Sequence, residues 1–189
     1  MLQVAAKGDN ARVRELLDKG VNVNMRGTDN NTPIMEAAYG MHLETVKLLL
    51  DHGADLSAKK NDGATPAGLA RSQEIVDLFK SVSSLVDAAA KGDNRAVAEL
   101  VSKGTPVNGL DKFGHSALTE ASWGGKTETV KLLLEKGADP TIKKSDGETA
   151  LSLANGQKHQ DIVALLNEAI AKRAKQPAAP AATGASAAK

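Results

Sequence analysis

The chain copies itself. Thr45-Val46-Lys47-Leu48-Leu49-Leu50 recurs as Thr129-Val130-Lys131-Leu132-Leu133-Leu134, an offset of 84 residues. Two further matches keep that offset: Ala5-Ala6-Lys7-Gly8-Asp9-Asn10 with Ala89-Ala90-Lys91-Gly92-Asp93-Asn94, and Asp62-Gly63 with Asp146-Gly147. The protein therefore reads as two homologous halves. Inside each half a shorter unit of about 30 residues repeats: a turn with glycine, a short Ala-rich helix, a second helix ending in Leu-Leu, then glycine and a polar turn. Six such units run roughly over 1–26, 27–59, 60–80, 81–110, 111–143 and 144–175. A helix pair this short cannot enclose a core by itself, so its apolar face must be buried by stacking on its neighbours.

Each recurring position has a physical task. Pro33 suits the first turn of a helix, where its missing N–H is not needed, and Thr32 stands at the N-cap before it. Ala37-Ala38 lets neighbouring helices approach closely, while Val46, Leu48 and Leu49 form the apolar stripe of the second helix. Gly53 is the expected left-handed terminator, and Asp55 shapes the polar turn after it. Taken together, Thr32-Pro33-Ile34, Ala37-Ala38, Val46, Leu48-Leu49 and Gly53-Ala54-Asp55 resemble the ankyrin repeat, and the second half supplies Ala121, Leu132-Leu133 and Gly137-Ala138-Asp139. The resemblance implies an all-α solenoid of stacked helix-turn-helix units with short hairpin-like fingers. It also implies a non-catalytic role in binding another protein.

Three segments are expected: units one to three over 1–80, units four to six over 81–175, and a tail over 176–189. The third unit is short, because Thr65 to Glu74 is nine residues where Thr149 to Asp161 is twelve, so about one helical turn is missing. Ser81-Val82-Ser83-Ser84 is a candidate joint, although a continuous stack is expected because a free end would expose apolar surface. Against Leu85-Val86, the opening Met1-Leu2 lacks the start of a first helix: either the helix simply begins there, or upstream sequence such as a leader has been removed. Compartment accordingly stays open between cytoplasmic and exported. The tail, almost all Ala, Pro, Gly, Ser and Thr, is expected to be disordered.

Composition narrows the partners. A net charge of +1 gives no field that would concentrate nucleic acid or an acidic membrane surface, and no apolar run approaches the roughly 18 residues of a membrane span. The absence of cysteine removes disulfides, thiolate metal sites and cysteine nucleophiles. His42 and His52 in the second unit, His115 in the fifth and His159 in the sixth show no ligand spacing, and the carboxylates lie on outer helix faces or in turns, so neither a metal, a cofactor nor a catalytic residue is expected. Gly125-Lys126-Thr127 imitates the end of a phosphate-binding loop and leaves nucleotide binding as an alternative of another class. It lacks the earlier glycine, since Glu120 stands there, and it joins two helices instead of following a strand. A monomer is expected.

Within the resemblance, the turn tips and the exposed side of each first helix form a concave binding groove. The fingertip positions are then Thr28, Asp29 and Asn31 in the second unit and Lys112, Phe113 and His115 in the fifth; the groove positions are Tyr39-Gly40 and Trp123-Gly124. Three of the chain's four aromatics, Tyr39, Phe113 and Trp123, land on this surface, with Trp123 the expected main anchor and Tyr39 across from it. The competing account packs Tyr39 and Trp123 between adjacent first helices. Glu36 and Glu120, three residues before the aromatics, share their helix face and are candidate acceptors for a partner. Met35 and Thr119 occupy the site where the family commonly has histidine, which puts the usual turn hydrogen bonds in question. An inhibitor that occludes an exported enzyme is the nearest alternative within binding.

Overall fold

The computed structural model describes residues 1–175; the expected disordered tail lies outside them. Among the described residues the fold is all-α. Its helices are α1 (Leu2–Ala6), α2 (Asn10–Asp18), α3 (Pro33–Tyr39), α4 (Leu43–Asp51), α5 (Pro66–Leu69), α6 (Gln73–Lys91), α7 (Asn94–Ser102), α8 (Ala117–Trp123), α9 (Thr127–Glu135), α10 (Ala150–Gly156) and α11 (Gln160–Lys175). First helices stack in one row, with α1 on α3 and α8 on α10, and each second helix closes its own unit. The stripe residues behave as the repeat requires: Leu49 and Leu133, equivalent across the halves, are both fully buried.

The two longest sequence matches interlock neighbouring units. Asp9 caps α2 by accepting from the Arg12 N–H at 3.0 Å, and Asp93 caps α7 through Ala96 N–H at the same distance. The next residues reach the following unit, where Thr45 Oγ1 donates to Asn10 Oδ1 at 2.6 Å and Thr129 Oγ1 to Asn94 Oδ1 at 2.7 Å. Both threonines are buried, so these bonds satisfy groups that would otherwise be costly and fix the register of one unit on the next.

Four fingers precede first helices, at 27–31, 60–64, 111–115 and 144–148. In each, the first residue's N–H donates to the fifth residue's carbonyl, at 2.7 to 2.9 Å. Their fourth residue takes positive φ, Asn30 in the first finger and glycine in the others.

The middle departs from a regular stack. The shortened third unit keeps only four residues of its first helix, α5, after which Ala70 turns extended with ψ of 123°. No finger follows its second helix: α6 runs for 19 residues through the expected boundary at 80 and 81, so Ser81-Val82-Ser83-Ser84 is helix and not a joint. The physical reason is an unbroken amphipathic pattern. Ile75, Phe79 and Val82 fill the first half's core, then Leu85, Ala88 and Ala89 fill the second's, with no glycine or proline between. The fourth unit thus enters along the direction of the helix before it, without the finger that elsewhere turns the chain back.

The halves then meet through turns. Leu56 N–H donates to Leu110 O at 3.1 Å, Leu110 N–H to Ala54 O at 3.0 Å, and Asn108 Nδ2 to Asp51 O at 2.9 Å. Gly109 keeps this seam close: a Cβ there would stand 3.1 Å from both Leu50 and Val82, nearer than an ordinary contact.

The family-typical histidine is replaced differently in each half. Ser116 caps α8 in a capping box with Thr119, whose hydroxyl accepts the Ser116 N–H at 2.9 Å. Met35 offers no such group, and the Thr32 hydroxyl is buried without a hydrogen-bond partner; the cap expected of Thr32 is not formed. Thr32→Val should therefore leave stability unchanged or raise it by up to about 1 kcal/mol, whereas Ser116→Ala should lower it by about 1 kcal/mol. Urea unfolding midpoints compare the two; equal losses would contradict the assignment.

Candidate functional site

The expected binding residues assemble as two equivalent strips, one per half, each running from a finger along the first helix behind it. In the fifth unit the strip starts at Lys112, whose Nζ lies 5.0 Å from the Phe113 ring centroid, and continues to His115, 6.3 Å from that ring. His115 Nδ1 faces Glu120 Oε1 at 3.2 Å across the finger–helix gap. Trp123 closes the helix and is 54% exposed.

In the second unit Asn31 Nδ2 donates to Glu36, the counterpart of the His115–Glu120 contact, and Tyr39 ends α3 at 48% exposure. Asp29 uses its carbonyl to accept Asn61 N–H of the neighbouring finger at 3.1 Å, and Asn30 Nδ2 donates to Asn61 Oδ1 at 2.7 Å. Thr28 is exposed at the same tip.

One expectation changes. Glu36 and Glu120 are not free acceptors, because each is engaged by a residue of its own finger; a carboxylate beside a finger amide or imidazole is held by it before any partner arrives. The Tyr39 and Trp123 rings, on different halves, are not in contact; among the described residues the one aromatic ring pair is Phe113 with His115. Tyr39 instead lies under Arg71, whose guanidinium carbon is 3.6 Å from the ring centroid.

The packing account of the aromatics fails for the side chains and holds for the backbone. Phe79 is core, yet Tyr39, Phe113 and Trp123 remain about half or more exposed while the aliphatic core is closed beneath them. The Trp123 backbone is anchored by a turn histidine, His159, whose Nε2 lies 3.2 Å from Trp123 O; the equivalent His42 Nε2 lies 3.0 Å from Ala6 O and ties the turn after Tyr39 to the preceding unit. Gly125-Lys126-Thr127 belongs to the same anchoring. Gly125 has φ of 67° with the His159 ring against it, so that a Cβ would come within 2.7 Å, and the Lys126 stem lies along Gly92. That loop is a packed inter-helix turn, with Lys126 stretched over a neighbouring unit.

Met41 and Arg71 join the surface without having been singled out from the sequence. Met41 is 58% exposed beside Tyr39. Its signal was present in the 84-residue alignment, where Met41 stands opposite Gly125: it adopts φ of 59°, a left-handed conformation that is costly for a residue with a side chain. Among the described residues no group of three or more His, Asp or Glu is placed to hold a metal, and no helix is long and apolar enough to cross a membrane.

A family model described as ankyrin repeats (3 copies) matches residues 1–82 and again 85–176. An ankyrin repeat-containing protein of Treponema pallidum (strain Nichols) is 33% identical over 126 residues, covering 66% of this chain and 36% of the relative. A palmitoyltransferase of Lachancea kluyveri is 30% identical over 163 residues, 76% of this chain and 22% of that protein. The ankyrin repeat and KH domain-containing protein mask-1 of Caenorhabditis elegans is 32% identical over 151 residues, 80% of this chain and 5% of that one. The chain thus spans about a third or less of the length of these relatives.

Met41→Gly should stabilise the protein by up to about 1 kcal/mol, since it removes left-handed strain at the cost of some chain entropy. Gly125→Ala should destabilise by about 1 kcal/mol or more for the converse reason, with the His159 contact added. Thermal melts of the pair check this, and a destabilising Met41→Gly would show that the turn is not strained.

Proposed function

This chain belongs to the ankyrin-repeat family, and we propose that it works by binding another protein, without covalent chemistry, through the two exposed strips. The observation that carries the reading is the exposure of large apolar side chains on a body that buries its aliphatic residues: Tyr39 at 48%, Met41 at 58%, Phe113 at 64% and Trp123 at 54%. Aromatic side chains in that state bury considerable area only when a partner covers them, and they are the residue types that dominate interface energetics.

Trp123 is the principal anchor of the fifth-unit strip, supported by Phe113 and Lys112 at the finger. Tyr39, Met41 and Asp29 form a second contact region in the other half. His115 with Glu120, and Asn31 with Glu36, serve as polar brackets that hold each finger against its helix, so they shape the strip more than they reach out from it.

The experiment is affinity capture from an extract of the source cell, followed by binding measurements with the partner recovered. Trp123→Ala should weaken that complex by roughly 2 kcal/mol or more while changing unfolding stability by no more than about 0.5 kcal/mol. A steep loss of melting temperature with unchanged affinity would make the tryptophan a structural residue and remove the strip as the site.

A further inference from the structure

The charges beside Trp123 bear on what that strip binds. Three inter-helix turns stack edge to edge there: 92–93 after α6, 124–126 after α8 and 157–159 after α10. The His159 ring packs on Gly125, and the Lys126 stem lies along Gly92, its Cδ 3.2 Å from the place of a Cβ. Lys126 stands where the second and sixth units carry His42 and His159. Those two rings each sit against a carbonyl of the preceding unit, Ala6 O and Trp123 O. Lys126 fills the same place with its methylenes, half-buried over Gly92 and Gly124, and among the described residues its ammonium forms no ion pair.

The neighbouring carboxylates are mostly committed elsewhere. Asp93 caps α7, accepting the Ala96 N–H at 3.0 Å, Glu128 pairs with Lys131 at 2.8 Å, and Glu120 faces His115 at 3.2 Å. That leaves four cations in or beside these turns without an ion pair, Lys91, Arg95, Lys126 and Lys158, against two such anions, Asp87 and Asp161. Asp161 moreover acts through space on Lys131. The edge beside the tryptophan is therefore positive although the whole chain is close to neutral. A phosphate finds no cradle in it, because the N–H groups of Gly125, Lys126 and Thr127 already donate to the carbonyls of Ser122, Ala121 and Gly125. What the edge offers is side-chain ammonium groups, one of them on a stem that is already packed.

We propose that the Trp123 strip takes an extended acidic segment of the partner protein, in which a large apolar side chain lies on the Trp123 ring and adjacent carboxylates pair with Lys126 and Lys91. The inference rests on the reading of Trp123 as an anchor and adds the chemistry of what it anchors. Gly92, Gly124 and Gly125 form a floor without side chains, which lets an extended backbone come close. Because the Lys126 stem is held over that floor, its ammonium loses little freedom on pairing. The carboxylates set register and selectivity, while the tryptophan supplies the buried area.

Trp123 is the only tryptophan of the chain, so its emission reports on the site directly. The test uses blocked 10-residue peptides of Gly and Ser with a central Leu-Glu-Glu, Leu-Gln-Gln, Leu-Lys-Lys or Ser-Glu-Glu, titrated into the full chain. Leu-Glu-Glu should change the emission saturably and bind at least fivefold tighter than each of the other three. Lys126→Gln and Lys91→Gln should each weaken it at least threefold, and Lys136→Gln, the same charge change at the far end of α9, should leave it as it was. Lys91 is exposed, so its variant keeps the test independent of the packing of the Lys126 stem.

Absence of saturable binding would overturn the proposal, as would equal affinity for Leu-Glu-Glu and Leu-Gln-Gln. So would an oligothymidylate of 12 nucleotides that binds as tightly as Leu-Glu-Glu and is weakened by Lys126→Gln, since the edge would then be a nucleic-acid surface. Trp123→Ala, followed by amide shifts in the labelled protein, separates this inference from the reading beneath it. Binding of Leu-Glu-Glu and Leu-Gln-Gln that is equal and lost in Trp123→Ala keeps the tryptophan as anchor and removes the acidic segment. A preference for Glu that survives Trp123→Ala removes the anchor itself.

Discussion

Every unit of this protein depends on the buried face that its neighbour supplies. A five- to nine-residue helix is far too short to hold together in water, and its leucine stripe finds cover only on the adjacent pair. Stacking alone would allow the pairs to slide. The bonds from Thr45 to Asn10 and from Thr129 to Asn94 prevent it, because a shift of one residue would strand a buried hydroxyl in each seam. The identical letters at 84-residue spacing are thus two sides of one contact: the Asp-Asn pair caps its own helix and receives the threonine of the next.

The same requirement explains the junction. A third unit with a truncated first helix cannot offer a full face to the fourth, and the chain compensates by fusing two helices into α6, whose single apolar stripe serves both cores. Direction is lost in the exchange, since without a finger the chain does not turn back. The halves are consequently closed by turn-to-turn bonds around Leu110 and Asn108.

What could be read in the sequence was what periodicity encodes. The all-α stack, the equivalence of Leu49 with Leu133 and the loss of one turn in the third unit follow from spacings. The exposure of Tyr39 and Trp123 followed from their place just beyond the small residues of each first helix, and that of Phe113 from its place at a fingertip. The junction was less legible, because Ser81-Val82-Ser83-Ser84 has a polar composition and hides an apolar residue, Val82, at the helical interval from Phe79 and Leu85. The partners of Glu36 and Glu120 were invisible for another reason: a finger folds back on its helix, so Asn31 and His115 meet carboxylates five residues away through a turn geometry that helix-face arguments do not describe. Met41 was legible only through its place opposite Gly125 in the 84-residue repeat, and Arg71 was missed because ring stacking has no periodic signature.

The arrangement separates holding the strips from offering them. Trp123 has its carbonyl engaged by His159 and its ring in solvent; Tyr39 is followed by a turn pinned to Ala6 through His42 and is stacked by Arg71. Ordering a side chain at an interface costs free energy on association, and a ring whose backbone is already fixed loses less freedom than one on a loose loop. The polar brackets act in the same direction, since a finger already tied to Glu36 or Glu120 need not be ordered by the partner. Such a surface binds by being in place beforehand, so substitutions in the His159 and His42 turns bear on binding through the position of the aromatics, without contact of their own.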